Sequence, residues 1–150
     1  FGYSDKSATN LDESYTTSRS KGFGKEAKRR IMMGTFVSST GYYDAYYKRA
    51  QMVRTKIINE FSKVFNNVDF LLGPTTPSTA FKIGNKTKDP LEMYLNDVMT
   101  VAANLTGIPA ISIPAGSINK LPVGMQLMSP QGTDRRLLSL SNNLERVLST

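Results

Sequence analysis

The sequence predicts an α/β fold, and three observations carry that prediction. Residues 41–65 place apolar side chains at a spacing of three and four, the signature of one helical stripe. Residues 68–72, 110–113 and 123–128 are short apolar or alternating runs punctuated by Gly and Pro, which read as strands. Between and after them come further helical patterns, so helices and short buried strands must share one core. A chain of 150 residues is long enough for one domain with a sizeable core.

Taken in order, residues 1–10 are polar and read as a loop. Residues 11–20 form a short helix, with Asn10 as N-cap and Glu13 at capping-box distance. Residues 25–36 read as a second helix. Residues 41–65 give the clearest one, with Tyr43, Tyr46, Tyr47, Ala50, Val53, Ile57, Phe61 and Val64 on the face expected to be buried. A buried strand at 68–72 is expected to stop at Gly73-Pro74, and Pro74, Pro77, Gly84 and Pro90 make residues 74–90 mostly loop. Leu91, Tyr94, Leu95, Val98, Ala102 and Leu105 restore helical spacing up to Gly107. The strands at 110–113 and 123–128 follow. Thr133 is placed to cap a last helix carrying Leu137, Leu140, Leu144 and Val147 on one face. Three short strands cannot make a large sheet alone.

Composition excludes several chemistries. There is no cysteine and no histidine. That removes disulfides, thiol nucleophiles, thiolate or imidazole metal sites and the usual neutral-pH base, and it is compatible with a reducing cytoplasm. No apolar run approaches the roughly 20 residues of a membrane span, so no membrane partner is expected. The net charge is +7, and it is concentrated: residues 18–63 hold eleven Lys or Arg against Glu26, Asp44 and Glu60, leaving the rest of the chain slightly acidic. A solvated helical face is the favoured account of this stripe; attraction for RNA phosphates is the other.

Several short patterns resemble sites. Ser18-Arg19-Ser20-Lys21 spells S-x-x-K, but its polar setting offers nothing to desolvate Lys21, and it reads as an accident of letters. Gly22-Phe23-Gly24 has no strand before it and reads as a loop. Thr75 and Thr76, in the stiff turn around Pro74 and Pro77, lack the following lysine of a phosphate loop. The tyrosines at 42, 43, 46 and 47 suit base stacking, yet their spacing points to packing. Gln126 alternates with Val123, Met125 and Leu127 and faces the other side of its strand, as a polar support residue would.

Five words carry a resemblance: KRRIMMGTFVSSTGYYDAYYKRAQMVR at 28–54, GPTTPSTAFKIG at 73–84, DPLEMYLN at 89–96, NLTGIPAISIP at 104–114 and LPVGMQL at 121–127. Together they span nearly the whole chain, and the longest are too long for chance. They resemble the amidase-signature family and, within it, the C-terminal part of the A subunits of glutamyl-tRNA(Gln)/aspartyl-tRNA(Asn) amidotransferases. The resemblance implies that residues 1–150 are a single C-terminal piece of an amidase-signature domain. It also implies that their strands belong to a larger mixed sheet flanked by helices, incomplete without an N-terminal half. The family's serine–cis-serine–lysine triad would lie before Phe1, so no catalytic residue is expected here and the piece alone is expected to be inactive.

The same resemblance implies a substrate and its grip. Free glutamine is the ammonia donor of such enzymes, and a zwitterion needs two opposite charges in its site. The arginine closing KRR and the aspartate of YLND map onto Arg30 and Asp97. A planar guanidinium pairs with the α-carboxylate through two parallel hydrogen bonds, and a carboxylate suits the α-ammonium. Implied partners are the B and C subunits of the amidotransferase, with tRNA met through the complex. No cofactor or metal is expected in this chain, ATP and Mg²⁺ being implied in a partner protein. The implied location is cytoplasmic, an organelle not being excluded. Two rivals stand beside this reading: a general amidase of the same superfamily, and a basic RNA-binding module resting on the cationic stripe alone.

Overall fold

A computed structural model describes residues 2–85 and 90–148 of the chain. They divide into two compact units, residues 1–51 and 52–150.

The first unit is helical. Helix α1 spans Leu11–Gly22 and opens as the sequence predicts: Asn10 Oδ1 accepts the Glu13 amide at 2.8 Å. Glu13 reaches back one residue further than a standard capping box. It accepts the Thr9 hydroxyl at 2.6 Å and the Thr9 amide at 2.8 Å, bonds that lower its pKa. The loop before α1 is tied by Asp5, the one buried residue among those described in this unit. Its carboxylate accepts the Lys21 ammonium at 2.6 Å, the Ser7 hydroxyl at 2.6 Å and the Ser7 amide at 3.1 Å, while its own amide donates to Ser18 Oγ at 2.8 Å. Ser18 and Lys21 of the S-x-x-K word are thus both bound to one aspartate. That contact raises the Lys21 pKa, the opposite of what a lysine base requires.

Helix α2 spans Lys25–Val37, one residue past the expected end. After Gly41, at φ +91°, comes a π-helical segment, Tyr43–Lys48, and then helix α3, Arg49–Phe65. The single helix expected over 41–65 therefore has a wide first turn. Tyr43 and Tyr47 stack at 4.8 Å between ring centres, and Phe36 lies 4.1 Å from Tyr42. The stripe expected to be buried is not: Tyr43, Tyr46, Val53 and Val64 are exposed, and Ile57 and Phe61 are half-buried. Periodicity identified the apolar face correctly, but nothing among the described residues covers most of it.

The second unit holds a three-stranded antiparallel sheet in the order β1-β3-β2. Strand β1 is Leu71–Pro74, shifted forward from the expected 68–72, with Leu72 61% exposed. The Gly-Pro pair expected to end it lies inside it, opposite Gln126 and Met125. An outer strand tolerates the proline because that position needs no second ladder bond. Strand β2 spans Ala110–Ile118 and β3 Leu121–Met128, both longer than expected. They join through Asn119 and Lys120, both at positive φ (52° and 64°), the two-residue turn that matches strand twist. A register shift between Pro114 and Ser117 accommodates Gly116 at φ +113°.

Helix α6, Asp134–Leu148, covers one sheet face. Leu137 meets Ile113 and Leu127, each 3% exposed, with Phe70, Ile111, Met125, Leu140 and Leu144 packed around them. Val147, expected on the same stripe, is 71% exposed. Thr133 directly precedes α6 and its carbonyl accepts the Leu137 amide at 3.1 Å; its hydroxyl lies 2.5 Å from the Pro130 carbonyl and 2.8 Å from Ser129 Oγ.

The helical run expected from Leu91 to Leu105 is two helices, α4 (Pro90–Leu95) and α5 (Val98–Thr106). The break is made by Asn96, whose side-chain amide donates to the Glu92 carbonyl at 3.0 Å, and by i→i+3 amide bonds from Asn96 and Asp97. Asp89, first residue of the DPLEMYLN word, lies outside the described residues. Helix α5 ends at Gly107 in the left-handed region (φ 71°), as expected, and Arg54 Nε donates to the Leu105 carbonyl at 2.7 Å.

Candidate functional site

The face of the sheet away from α6 is built from small residues. Gly124 lies on central strand β3, flanked by Ser112 on β2 and by Thr75, which follows β1 and donates its amide to the Gly124 carbonyl at 3.1 Å. The hydroxyls of Thr75 and Ser112 meet above Gly124 at 2.7 Å. A Cβ on Gly124 would lie 2.6 Å from Ser112 Oγ and 3.0 Å from Thr75 Oγ1, so only glycine leaves room for that bridge. Thr75 and Ser112 line a cleft of about 560 Å³ whose wall includes α5, through Thr100, Ala103 and Asn104. Nothing in the local pattern of the sequence announced the hydroxyl pair, because its members are 37 positions apart.

Gln126 completes the floor. It is 4% exposed, and its side-chain amide donates to the Met99 carbonyl in the first turn of α5 at 2.9 Å. Strand alternation left the role of Gln126 open; this bond ties the start of α5 to the sheet.

Asp97 is the N-cap residue of α5. An aspartate there ordinarily folds back over the first amides of its helix. Asp97 makes no such side-chain bond, because its backbone is helical (φ −91°, ψ −2°) rather than extended. Its carbonyl accepts the Thr100 amide at 2.9 Å and the Thr100 hydroxyl at 3.1 Å, which anchors the residue through its backbone. The carboxylate is exposed at the positive end of α5, next to the turn whose Thr100 lines the cleft.

Arg30 belongs to the other unit. It lies on α2, exposed, with Nε 2.9 Å from Glu26 Oε1; Arg29 shares the same glutamate at 3.2 Å. Exposed pairs of this i,i+4 type are worth only tenths of a kcal/mol. Among the described residues no helix is long and apolar enough to cross a membrane.

Comparison with known proteins bears on this geometry. The family model described as Amidase matches residues 2–138. The chain belongs to the amidase family. Among curated relatives of this amidase chain, the A subunit of Glutamyl-tRNA(Gln) amidotransferase from Legionella pneumophila (strain Philadelphia 1) is 55% identical over 146 residues, and its counterpart in Geobacillus sp. (strain WCH70) is 51% identical. Each alignment takes in 97% of this chain and 30% of the relative, so the chain spans about a third of the length of the proteins it matches. The crystal structure of the Glutamyl-tRNA(Gln) amidotransferase A subunit from Thermotoga maritima superposes at a TM-score of 0.60 and 50% identity, over 82% of this chain and 27% of that one. An amidase crystal structure at 22% identity reaches a TM-score of 0.69 over 89% of this chain and 32% of its own, a likeness of fold alone. The amidase fold class expected from the sequence is thus observed as mixed helix and strand, with the strands described here antiparallel.

Proposed function

We propose that this amidase chain is the C-terminal part of the glutaminase subunit of a tRNA-dependent amidotransferase. The observation that carries the reading is 51–55% identity, along 97% of the chain, with proteins named as the A subunits of Glutamyl-tRNA(Gln) amidotransferases. In this reading the complete subunit hydrolyses glutamine through an acyl-enzyme formed on residues outside this chain. The ammonia released passes to a partner protein of the complex, which uses ATP and Mg²⁺ to amidate Glu or Asp esterified to tRNA. The B and C subunits are the partners, tRNA is met through them, and the complex works in the cytoplasm or an organelle.

This part of the subunit contributes the grip on free glutamine. Arg30 pairs with the α-carboxylate and Asp97 with the α-ammonium. Two features support those roles. The Glu26 contact of Arg30 is of the weak, exposed kind that a bidentate substrate carboxylate displaces readily. The Asp97 carboxylate is not engaged in capping its own helix.

The test is Arg30→Ala in the complete enzyme. A charge-assisted bond is worth about 1.5–3 kcal/mol, so the glutamine KM should rise by about one to two decades. The rate at saturation should change much less, and amidation supplied with ammonium salt should be spared because it bypasses glutamine. An unchanged KM would remove Arg30 from the substrate site.

A further inference from the structure

We infer that Gln126 is a positioning residue for the glutamine site, acting through the first turn of α5. Three observations converge. Gln126 is a nearly sealed polar side chain on the central strand of the sheet. Its amide donates at 2.9 Å to a helix carbonyl, that of Met99, two residues after Asp97. Among the described residues Asp97 makes no side-chain cap bond and is held through its carbonyl, so the location of its carboxylate follows that turn.

The physical argument concerns what replaces a missing cap. An N-cap aspartate that folds over its helix fixes its own side chain and the helix start in one contact. Asp97 gives up that contact and keeps its carboxylate outward. The start of α5 then needs another anchor, and it follows a break made by Asn96 and flanking 3₁₀-type bonds, where a helix is free to rotate or fray. Gln126 provides the anchor from the sheet. A leucine or methionine of similar size would fill the same space, but it would leave the Met99 carbonyl without its second partner. The amide is therefore there for orientation, and its effect should appear where the orientation of a charged group matters, in the affinity for a zwitterion.

This inference rests on the glutamine-site reading of Asp97, and the experiment separates the two. Gln126→Met, Gln126→Glu and Asp97→Asn are made in the complete enzyme. Glutamine KM, kcat, ammonium-dependent amidation and melting temperature are measured for each. Gln126→Met should raise the glutamine KM about fivefold, the equivalent of one ordinary hydrogen bond. It should leave kcat within about twofold, since the lost interaction is uniform binding, and leave the ammonium-dependent rate unchanged. Gln126→Glu should show a KM that improves as the pH is lowered, because only the protonated acid can donate to the Met99 carbonyl. A purely structural residue would carry the same pH dependence into the ammonium-dependent rate and the melting temperature, whereas a positioning residue confines it to the glutamine KM. If Asp97→Asn raises KM while both Gln126 variants leave it unchanged at wild-type melting temperature, the positioning role is overturned and the site reading stands. If Asp97→Asn leaves KM unchanged, the site reading itself falls. If Gln126→Met lowers kcat and the ammonium-dependent rate together with the melting temperature, Gln126 is structural only and the inference is overturned.

Discussion

The two units of this chain are held together by different physics. In residues 52–150, Ile113, Leu127 and Leu137 are nearly sealed between a sheet and α6, and apolar residues of the sheet, of α6 and of the segment before β1 close around them. In residues 1–51 the buried residue is Asp5, and order comes from a capped helix start, a three-donor carboxylate and short-range ion pairs, while Ile31, Met32, Met33 and Phe36 are exposed. Apolar burial of a few large side chains is worth several kcal/mol, whereas caps and exposed ion pairs are worth about one or less each. The same chain therefore pairs a unit with its own core and a unit whose helices are specified locally but whose apolar faces remain uncovered. The proposed substrate contacts are divided between them: Arg30 on the locally specified unit, Asp97 beside the packed sheet.

The largest effect that can break this contrast is a cavity in the packed unit. Leu127→Ala should cost about 2–5 kcal/mol. Amide hydrogen exchange should accelerate through β2, β3 and α6 and stay unchanged in α1 and α2. Equal acceleration in α1 would mean that the units open as one cooperative body, and the contrast would be lost.

A smaller, sharper probe is Gly124→Ala. The added Cβ would approach Ser112 Oγ to 2.6 Å, so the Thr75–Ser112 bridge must open or the strands must part. The expected cost is about 1–3 kcal/mol, as for other overpacked sites. Combining it with Ser112→Gly removes the closest atom and should recover most of the loss, a coupling visible in a double-mutant cycle of unfolding free energies. Additive losses would show that the hydroxyl bridge is not what excludes a side chain at position 124.

What the sequence disclosed follows the same division. Features fixed within one helical turn were legible: the Asn10 cap, the Gly107 stop, the Leu137–Leu140–Leu144 stripe. Features fixed by a distant partner were not. Strand β1 moved forward onto Gly73 and Pro74 because pairing with Gln126 and Met125, not local propensity, sets its register. The α4–α5 break was hidden because an apolar spacing of three and four persists across Asn96, while the side chain that ends α4 bonds backward to Glu92. At the site, alternation alone put Gln126 on the face opposite Leu127, but its target at Met99 is 27 positions away and leaves no local trace. Arg30 and Asp97 came from family words rather than from pattern, since an exposed arginine beside Glu26 and an aspartate before a helix look ordinary by themselves.

The smallest expected effect belongs to the locally specified unit and is read by pH. The Lys21 ammonium, with the hydroxyl and amide of Ser7, holds the Asp5 carboxyl well below the usual carboxylate range. The folded chain therefore binds this proton less readily than the unfolded chain, whose aspartate titrates near 3.9. The stabilisation is complete above that value and is lost progressively as the pH falls below it, toward the depressed folded pKa. Lys21 carries the complementary sign: its pKa is raised by Asp5, so its share is present below about 10.4 and lost as the pH rises through the raised value. Lys21→Met removes the largest cause of the Asp5 shift and leaves the two Ser7 bonds. Between about pH 5 and 2, the acid loss of α1 helicity followed by amide exchange or circular dichroism should be shallower in this variant than in the parent. A remainder should persist, because Glu13, held by Thr9, titrates in the same direction. An acid limb as steep as the parent's would mean that Lys21 does not set the acid stability of this unit, and that its ordering rests on the Asn10 and Thr9 contacts alone.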